Sequence, residues 1–321
     1  MTMTARVHVR PIGNLGNQML QYMLLQSMQT RLPGLAFDGV NMPDWGLVLP
    51  APSAVPAQLL CLAGQHVDVP LLEQLIAGGQ IRELAFAALG FRMKDLLPVE
   101  RYHAAFARRA VAVPDVARHG LLINVRGAEI LADTHPDYGP VPIAFYHQLI
   151  EATGLPAVLM GQLADDPYSQ ALRQAFPNAL VLPSQGAMAD FEIIRSARHI
   201  VASVSTFSWL AAWLSDAQTI HLPVSGIFNP DQREDIDLLP VHDPRYRFYK
   251  FPVRRWDGSP AQFDALSAPQ HFAAMSPQTA QERLASAAQR FAPRAARYRL
   301  KLRAAAWAQR WLNLSYKVIA R

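Results

Sequence analysis

Short apolar runs alternate with helix-like segments from residue 121 to residue 222, and this alternation constrains the fold more than any other feature of the sequence. The segments between the runs repeat apolar residues at spacings of three and four, which is typical of helices that pack on a sheet. Strands that alternate with helices form a parallel sheet. We therefore predict a doubly wound α/β sheet, with strands at 121–125, 157–160, 180–182, 199–202 and 219–222.

The length of the chain predicts more than one domain. With 321 residues it exceeds the size at which a single hydrophobic core usually stops growing. A composition of 51% hydrophobic and 17% charged residues indicates a globular protein with sizeable cores. We predict an N-terminal α/β domain at 1–115, a Rossmann-like domain at 116–260, and a helical extension with a basic amphipathic tail at 261–321.

The formal net charge of +5 is concentrated at one end of the chain. Residues 290–321 contain nine Lys and Arg and no Asp or Glu, so the rest has 21 basic and 25 acidic residues and a charge of −4. Nucleic-acid-binding domains carry basic residues over a face of the body. We therefore expect no nucleic-acid partner.

A single cysteine, Cys61, excludes an intrachain disulfide and a cysteine-rich metal site. Low cysteine usage fits a reducing compartment. The sequence shows no signal-type segment before Val7 and no run of about 18 apolar residues. We expect a cytoplasmic protein that does not span a membrane.

Three hydroxyl side chains lie where the 199–202 run gives way to a helix-like segment at 207–214, in the stretch Ser203-Val204-Ser205-Thr206. In open α/β sheets ligands bind beyond the carboxyl ends of strands, where helix N-termini offer unpaired N–H groups to anions. This turn therefore suits a phosphate. The alternative is an ordinary N-cap for the helix, although Trp209 stands where a capping box requires Glu or Gln.

A second turn of this kind follows the alternating residues 7–9 near the N-terminus. Gly13 and Gly16 precede Asn17 and Gln18, and an apolar helix is predicted from Met19 to about residue 30. The spacing matches neither GxGxxG nor a P-loop, and two glycines often only permit a tight turn. The two amides at the helix start can reach a ligand.

A cation follows the buried run 121–125, in the stretch Arg126-Gly127-Ala128-Glu129. A cation at the end of a buried parallel strand needs an anionic partner. One interpretation is an internal ion pair with Glu129 or a nearby Asp. The other is a diphosphate clamp, for which a bidentate guanidinium is suited. The residues themselves favour neither.

The loop at 131–140 carries titratable side chains beside this cation, among them Asp133, His135, Asp137 and Tyr138. An acid or base role is one interpretation and solvated loop residues are the other. His135 and Asp137 alone do not make a metal site. We predict no metal.

The C-terminal tail places apolar residues at spacings of four and three, with cations off that stripe. An amphipathic helix of this kind can lie on an anionic membrane surface, in which case the protein is peripheral on the inner membrane, or it can pack on the body. The apolar stripe consists of Leu300, Ala304, Trp307, Trp311, Leu314 and Val318.

Three segments together resemble the bacterial α-1,2-fucosyltransferases of glycosyltransferase family 11. Residues 13–22, GNLGNQMLQY, are similar to the opening GGLGNQMFQY of that family. Residues 124–129 lie where the family has an HxRRxD-type motif, and STFSWLAAWL at 205–214 is similar to the ending of its IIANSTFSWWAAWL segment. The resemblance covers about residues 6–30 and 120–225.

This resemblance implies a GT-B fold, with two Rossmann-like domains facing a cleft, and an inverting reaction that needs no metal or other cofactor. Arg126 then stabilises the leaving GDP, and Asp190 lies where distant relatives contact the guanine edge. The other donor-binding positions implied are Gly16, Asn17, Gln18, Asn124, Ser203, Ser205, Thr206 and Phe207.

The middle motif departs from the family. Asn124 replaces the family's His, Gly127 its second Arg and Glu129 its Asp. Glu129, Asp133 and His135 are candidate catalytic residues by position only. We predict a glycosyltransferase that transfers fucose from GDP-fucose to a glycan acceptor. The alternatives are a transferase using another nucleotide sugar and a non-catalytic nucleotide-sugar-binding protein.

Overall fold

The computed structural model describes residues 5–53, 59–132, 135–312, 314 and 316–320. The chain divides into two compact units. Unit 1 comprises residues 1–107, 234–238 and 286–321, and unit 2 comprises residues 108–233 and 239–285. Each unit is therefore built from more than one stretch of sequence.

The described residues form strands and helices in an alternating order. The strands are β1 Ala5–Val9, β2 Leu35–Asp38, β3 Val40–Met42, β4 Leu47–Leu49, β5 Leu60–Gly64, β6 Glu83–Ala88, β7 Leu121–Val125, β8 Ala157–Gly161, β9 Leu180–Leu182, β10 His199–Val201, β11 Thr219–Val224, β12 Tyr246–Lys250, β13 Ala274–Met275 and β14 Lys317–Ala320. The helices are α1 Leu15–Arg31, α2 Val69–Ala77, α3 Asp115–His119, α4 Glu129–Ala132, α5 Ile143–Thr153, α6 Pro167–Ala175, α7 Ala187–Ser196, α8 Thr206–Trp213, α9 Pro260–Ser267 and α10 Pro277–Leu312.

Unit 1 contains a parallel five-stranded sheet in the order β14-β5-β6-β1-β2. The connection from β1 runs through α1 to β2 on one side, whereas β6 and β5 lie on the other side of β1. The chain connections on the two sides of β1 therefore diverge at its carboxyl end. The glycine-containing loop, with Pro11 and Gly13, begins at that end. The short pair β3–β4 is antiparallel.

Unit 2 contains a seven-stranded sheet in the order β13-β12-β11-β10-β7-β8-β9. All neighbours are parallel except β12 and β13. From β7 the chain passes through α5 to β8 and through α6 to β9, then returns through α7 to β10 on the other side of β7. The predicted doubly wound sheet is confirmed, and β12 extends it beyond the strands that the sequence indicated.

The strands of unit 2 are apolar because helices cover the sheet. Every residue of β7 is buried, and so are Trp209 and Phe191 on α8 and α7. The stacked rings of Trp209 and Trp213 on α8 have centroids 5.3 Å apart. Both units therefore combine a parallel sheet with packed helices, and the prediction of two Rossmann-like α/β domains is confirmed.

The predicted helical extension is present as α10, but the amphipathic pattern does not continue to the end of the chain. The helix ends at Leu312, and Val318 lies in β14, which pairs in parallel with β5 of the unit 1 sheet. Val318 is buried there. The assignment of Val318 to a helical stripe is therefore wrong, because a β-branched strand at the sheet edge buries the residue better than a continued helix. No helix among the described residues is long and apolar enough to cross a membrane.

A buried histidine on β11 makes the stability of unit 2 depend on pH. Burial lowers the pKa of His221 from 6.5 to about 4, helped by the charges of His199 and Arg247. The folded protein then binds fewer protons than the unfolded chain between these values, so stability is complete above pH 6.5 and falls as the pH drops towards 4. We expect His221 to account for a loss of about 2 kcal/mol between pH 7 and pH 5.

Urea unfolding at both pH values, followed by circular dichroism, measures this loss. The variant His221→Asn cannot titrate and keeps an acceptor for the Tyr249 hydroxyl, which lies 2.9 Å from Nδ1 of His221. It should lose less stability than the wild type on acidification. His119→Asn, at an exposed ring of the same unit, is the control for replacing a histidine that is not buried. Equal slopes for all three proteins would contradict the prediction.

Candidate functional site

The candidate site of unit 2 lies where β7 and β10 end side by side. The chain leaves these adjacent parallel strands in opposite directions, which is where open α/β sheets bind ligands. Asn124 on β7 accepts a hydrogen bond at Oδ1 from Ser203 Oγ, with 2.8 Å between the two atoms. Both side chains are buried. This bond holds two of the predicted donor-binding residues together at the carboxyl edge of the sheet.

The hydroxyl turn at 203–206 is fixed by hydrogen bonds of its own. Ser205 is the N-cap of α8, and its Oγ accepts from the backbone N–H of Phe207 at 3.2 Å. The N–H of Ser203 donates to Ser208 Oγ at 3.0 Å. The capping interpretation of Ser205 is therefore the one that the contacts show. The turn still places the first N–H groups of α8 next to the ends of β7 and β10.

Arg126 follows β7 and joins three parts of unit 2. One terminal nitrogen donates to the carbonyl of Val204 at 3.0 Å, and the other lies 2.8 Å from Glu129 Oε1. The guanidinium carbon is 4.7 Å from the centre of the Tyr138 ring, a cation–π contact. The side chain is 20% exposed. The ion pair with Glu129, one of the two interpretations of the sequence, is present, and solvent still reaches the guanidinium.

The backbone after Arg126 leaves little room for a side chain at position 127. A Cβ at Gly127 would lie 2.8 Å from the carbonyl oxygen of Gln162, closer than real Cβ atoms approach a backbone atom. Ala128 has a φ of 37°, a conformation that costs free energy in a residue with a side chain. A side chain at position 127 would therefore require this turn to shift.

The loop that follows carries the remaining candidate catalytic residues. Asp133 lies outside the described residues. His135 is exposed, and its Nδ1 accepts from the backbone N–H of Asp137 at 3.1 Å. In a neutral imidazole the other nitrogen then carries the proton. His135 is thus arranged to donate from Nε2, whereas a general base would need a lone pair at that atom.

A second arginine, which sequence reasoning missed, reaches the same loop from residue 233. Arg233 Nη1 lies 2.8 Å from Oδ2 of the buried Asp137, whose Oδ1 accepts from Gln232 Nε2 at 3.1 Å. The pKa of Tyr138 is raised by burial, and the positive charges of Arg126 and Arg233 oppose that rise. Two guanidinium groups therefore act on the same phenol.

Asp190 lies in the first turn of α7, and its carboxylate is already hydrogen-bonded. Oδ2 accepts from Ser184 Oγ at 2.6 Å and Oδ1 from the N–H of Gln185 at 2.9 Å. These bonds close the loop before α7. The neighbouring Phe191 ring packs edge-on against Phe207, with centroids 5.4 Å apart, so the starts of α7 and α8 lie together.

The predicted residues of unit 1 form a self-supporting loop. Gln18 Nε2 donates to the carbonyl of Gly13 at 3.0 Å, and a Cβ at Gly13 would lie 2.5 Å from the amide nitrogen of Asn17. The buried Gln21 accepts from the N–H of Ile12 and donates to the carbonyl of Ala88. Gly16 is buried in the first turn of α1. Gln21 was not among the predicted residues, although it belongs to the same GNQMLQY segment.

Two further observations bear on ligands. Across the part of the chain that the structure describes, no three His, Cys, Asp or Glu side chains form a group that could hold a metal ion. A cavity of about 660 Å³ in unit 2 is lined by α5, α6 and residues near α9, including His147, Glu151 and His271. None of the predicted donor-binding residues lines it.

Comparisons with known proteins give similarities of structure only. No protein-family profile and no curated protein matches the sequence. The chain is similar to POFUT1 in complex with GDP, at 11% identity over 68% of this chain and 96% of that one, with a TM-score of 0.38. It is similar to the iron-containing dodecameric glycosyltransferase TibC from enterotoxigenic E. coli, at 12% identity over 91% and 77% of the two chains and a TM-score of 0.40.

A third similarity is to a mutant of Arabidopsis thaliana FUT1 in complex with GDP, at 14% identity over 68% of this chain and 70% of that one, with a TM-score of 0.37. All three TM-scores are below 0.5.

Proposed function

We propose that this protein is an inverting, metal-independent glycosyltransferase of GT-B type that uses a nucleotide diphosphate sugar. The observation that carries the proposal is the position of Arg126, a solvent-accessible guanidinium at the carboxyl end of β7 and bonded to the hydroxyl turn at Val204. A diphosphate placed there meets a planar cation and the N-terminus of α8 together. We propose GDP-fucose as the donor and a cell-surface glycan as the acceptor, because residues 13–22 and 205–214 resemble motifs of the bacterial α-1,2-fucosyltransferases.

In this proposal Arg126 stabilises the negative charge that grows on GDP as the bond to the sugar breaks. Without a donor, Glu129 forms an ion pair with one terminal nitrogen of Arg126. When the donor binds, its diphosphate takes the place of the Glu129 carboxylate, because the diphosphate carries more negative charge. Arg233 supplies a second cation beside the same loop. His135 donates a hydrogen bond from Nε2 to an oxygen of the leaving diphosphate.

We propose Asp190 as the residue that reads the base. A carboxylate can accept hydrogen bonds from N1–H and the N2 amino group of guanine. Each oxygen of Asp190 already accepts one hydrogen bond from the loop before α7. The lone pairs that remain suffice for two bonds to a base. The reaction proceeds in the cytoplasm, consistent with a chain that has one cysteine.

Calorimetric titration with GDP, UDP and GDP-fucose tests the nucleotide class and the site together. We expect GDP to bind more tightly than UDP, and Asp190→Ala to weaken GDP binding by about tenfold or more, because the loss of a hydrogen bond to a charged group costs about 1.5–3 kcal/mol. UDP binding should not change. Equal GDP binding by the variant and the wild type would show that Asp190 does not contact the base.

The control for this experiment separates base recognition from loop stability. Ser184→Ala removes the 2.6 Å hydrogen bond to Asp190 but leaves the carboxylate in place. It should therefore keep the preference for GDP. If both variants lose GDP and UDP binding alike, Asp190 acts only by holding the loop before α7.

A second candidate function is nucleotide-sugar binding without transfer. Two observations favour it. The ion pair with Glu129 partly neutralises Arg126, and the crowded backbone at Gly127 leaves little room for a second cation at that position. Both reduce the positive charge available to a leaving group. Detectable transfer of a labelled sugar to any glycan acceptor would eliminate this candidate. Tight GDP binding with no transfer to a panel of acceptors would favour it over the enzyme.

A further inference from the structure

The outward side of α10 carries large apolar side chains that the fold leaves exposed. Leu300, Trp307 and Trp311 are 68%, 58% and 64% exposed, and Ala304 lies between them on the same side of the helix. We call these four residues the tryptophan face. Leu314 and Tyr316, which follow the helix, are also exposed. An exposed apolar stripe of this size marks an interaction surface.

The opposite side of α10 holds the helix on unit 1. Phe291, Tyr298, Leu302 and Ala305 are buried, and their spacings of seven, four and three place them on one side of the helix. Burial of this side is sufficient to fix the helix. The tryptophan face is therefore not needed to fix α10, and its three large side chains remain more than half exposed.

Cations border the tryptophan face on both of its edges. Arg297 and Lys301 lie towards one edge and Arg303 and Arg310 towards the other, from the helical spacing of their positions. None of these four side chains makes an ion pair with any residue in the described ranges, whereas Arg290, Arg294 and Arg299 are paired with Glu234 or Asp68. The positive charge beside the face is therefore uncompensated.

The face also lines an open groove of about 620 Å³ within unit 1. Arg303, Arg310 and the two tryptophans form one wall, and the C-terminal part of α2 forms the other. A polar headgroup that enters the groove would therefore meet two guanidinium groups beside two apolar rings. Tryptophan and arginine in this arrangement are typical of helices that lie at the boundary between lipid headgroups and acyl chains.

We propose that the tryptophan face and its four bordering cations bind the anionic surface of a phospholipid bilayer. Charge decides between a bilayer and a second copy of this chain. A symmetric contact through the same face would bring two sets of unpaired cations together, which is unfavourable. An anionic bilayer compensates the cations and also accepts the indole rings. The inference is independent of the proposed reaction, because lipid binding is measured without a sugar donor.

Sedimentation of the full chain with vesicles tests the proposal. The wild type should co-sediment with vesicles of mixed phosphatidylglycerol and phosphatidylcholine, but not with vesicles of phosphatidylcholine alone. Arg303→Gln with Arg310→Gln should weaken binding by roughly tenfold or more, since each cation near an anionic surface contributes about fivefold. Trp307→Ala with Trp311→Ala should weaken it comparably and abolish the blue shift of tryptophan emission on vesicles.

The matched control is Leu180→Ala with Val253→Ala, which removes two exposed apolar side chains from unit 2 and should leave vesicle binding unchanged. Equal binding by the wild type and both α10 variants would overturn the proposal, and so would equal binding to the two kinds of vesicle. A wild type that does not bind vesicles but forms an oligomer that Trp307→Ala with Trp311→Ala dissociates would assign the face to a second copy.

Discussion

Arg126→Ala is expected to lower turnover by about 10²–10³-fold, the range seen when one group that stabilises developing negative charge is removed from an active site. In the proposed reaction Arg126 neutralises charge that grows as the bond to the leaving diphosphate breaks, so the effect should lie in kcat rather than in KM. Steady-state transfer of a labelled sugar, or hydrolysis of the donor when no acceptor is present, measures it. Turnover within tenfold of the wild type would contradict the assignment of Arg126.

Two further variants show whether the loss is specific. Arg126→Lys keeps the positive charge but loses the planar, bidentate geometry, so its activity should lie between those of the wild type and Arg126→Ala. Arg173→Ala removes an exposed arginine on α6, which donates to the carbonyls of Ala164 and Leu163, and should leave turnover unchanged. Because Arg126 also bonds to Val204, thermal unfolding of each variant establishes that the hydroxyl turn remains folded.

The sheet of unit 2 could be predicted from the sequence because its strands are buried on both faces and separated by helices of ordinary length. The apolar runs at 121–125, 157–160 and 180–182 coincide with β7, β8 and β9 to within one residue. A local pattern is sufficient here, since each strand's neighbours follow from the direction of the crossovers. The point of divergence between β7 and β10, and with it the place of the site, follows from the same pattern.

Predictions that depended on distant partners were less successful. At 101–109 the local pattern alone predicts a helix, because Tyr102 and Phe106 are four residues apart, but the chain there forms a short 3-10 turn that ends at Tyr102. The Tyr102 hydroxyl donates to the carbonyl of Met23, and the Phe106 ring packs on Tyr22. Burial of two aromatic residues in unit 1 outweighs the helical propensity of the segment.

The site shows the same division between local and distant information. The meeting of Arg126 with the hydroxyl turn at 203–206 could be expected, because strand ends in a parallel sheet meet at one edge. Arg233 could not be found, because more than one hundred residues separate it from β7 and only its contact with Asp137 reveals its place. A cation in an irregular segment carries no signal in the sequence that distinguishes it from a solvated one.

Glu192→Ala is expected to destabilise unit 2 by about 3–5 kcal/mol, because it removes the carboxylate that faces the buried charge of Arg195. The two side chains are 1% and 2% exposed, and Arg195 Nη1 lies 2.9 Å from Glu192 Oε1. Burial lowers the pKa of Arg195, and the Glu192 carboxylate opposes that shift. The free energy of unfolding in urea measures the loss, which should be the largest of any single substitution considered for unit 2.

Two other replacements distinguish burial of the charge from the ion pair as such. Asp216→Ala removes the carboxylate of an exposed pair with Arg108, in which Asp216 is 82% exposed, and should cost less than about 1 kcal/mol. Glu192→Leu combined with Arg195→Met removes both buried charges and should cost less than Glu192→Ala alone, because neither charge remains in the interior. Arg195 also bonds to the carbonyl of Leu214 at the end of α8, so its charge ties α7 to the helix that begins at the hydroxyl turn. A single substitution at Glu192 that costs no more than Asp216→Ala would show that water reaches Arg195 and that α7 and α8 are held together by their apolar side chains.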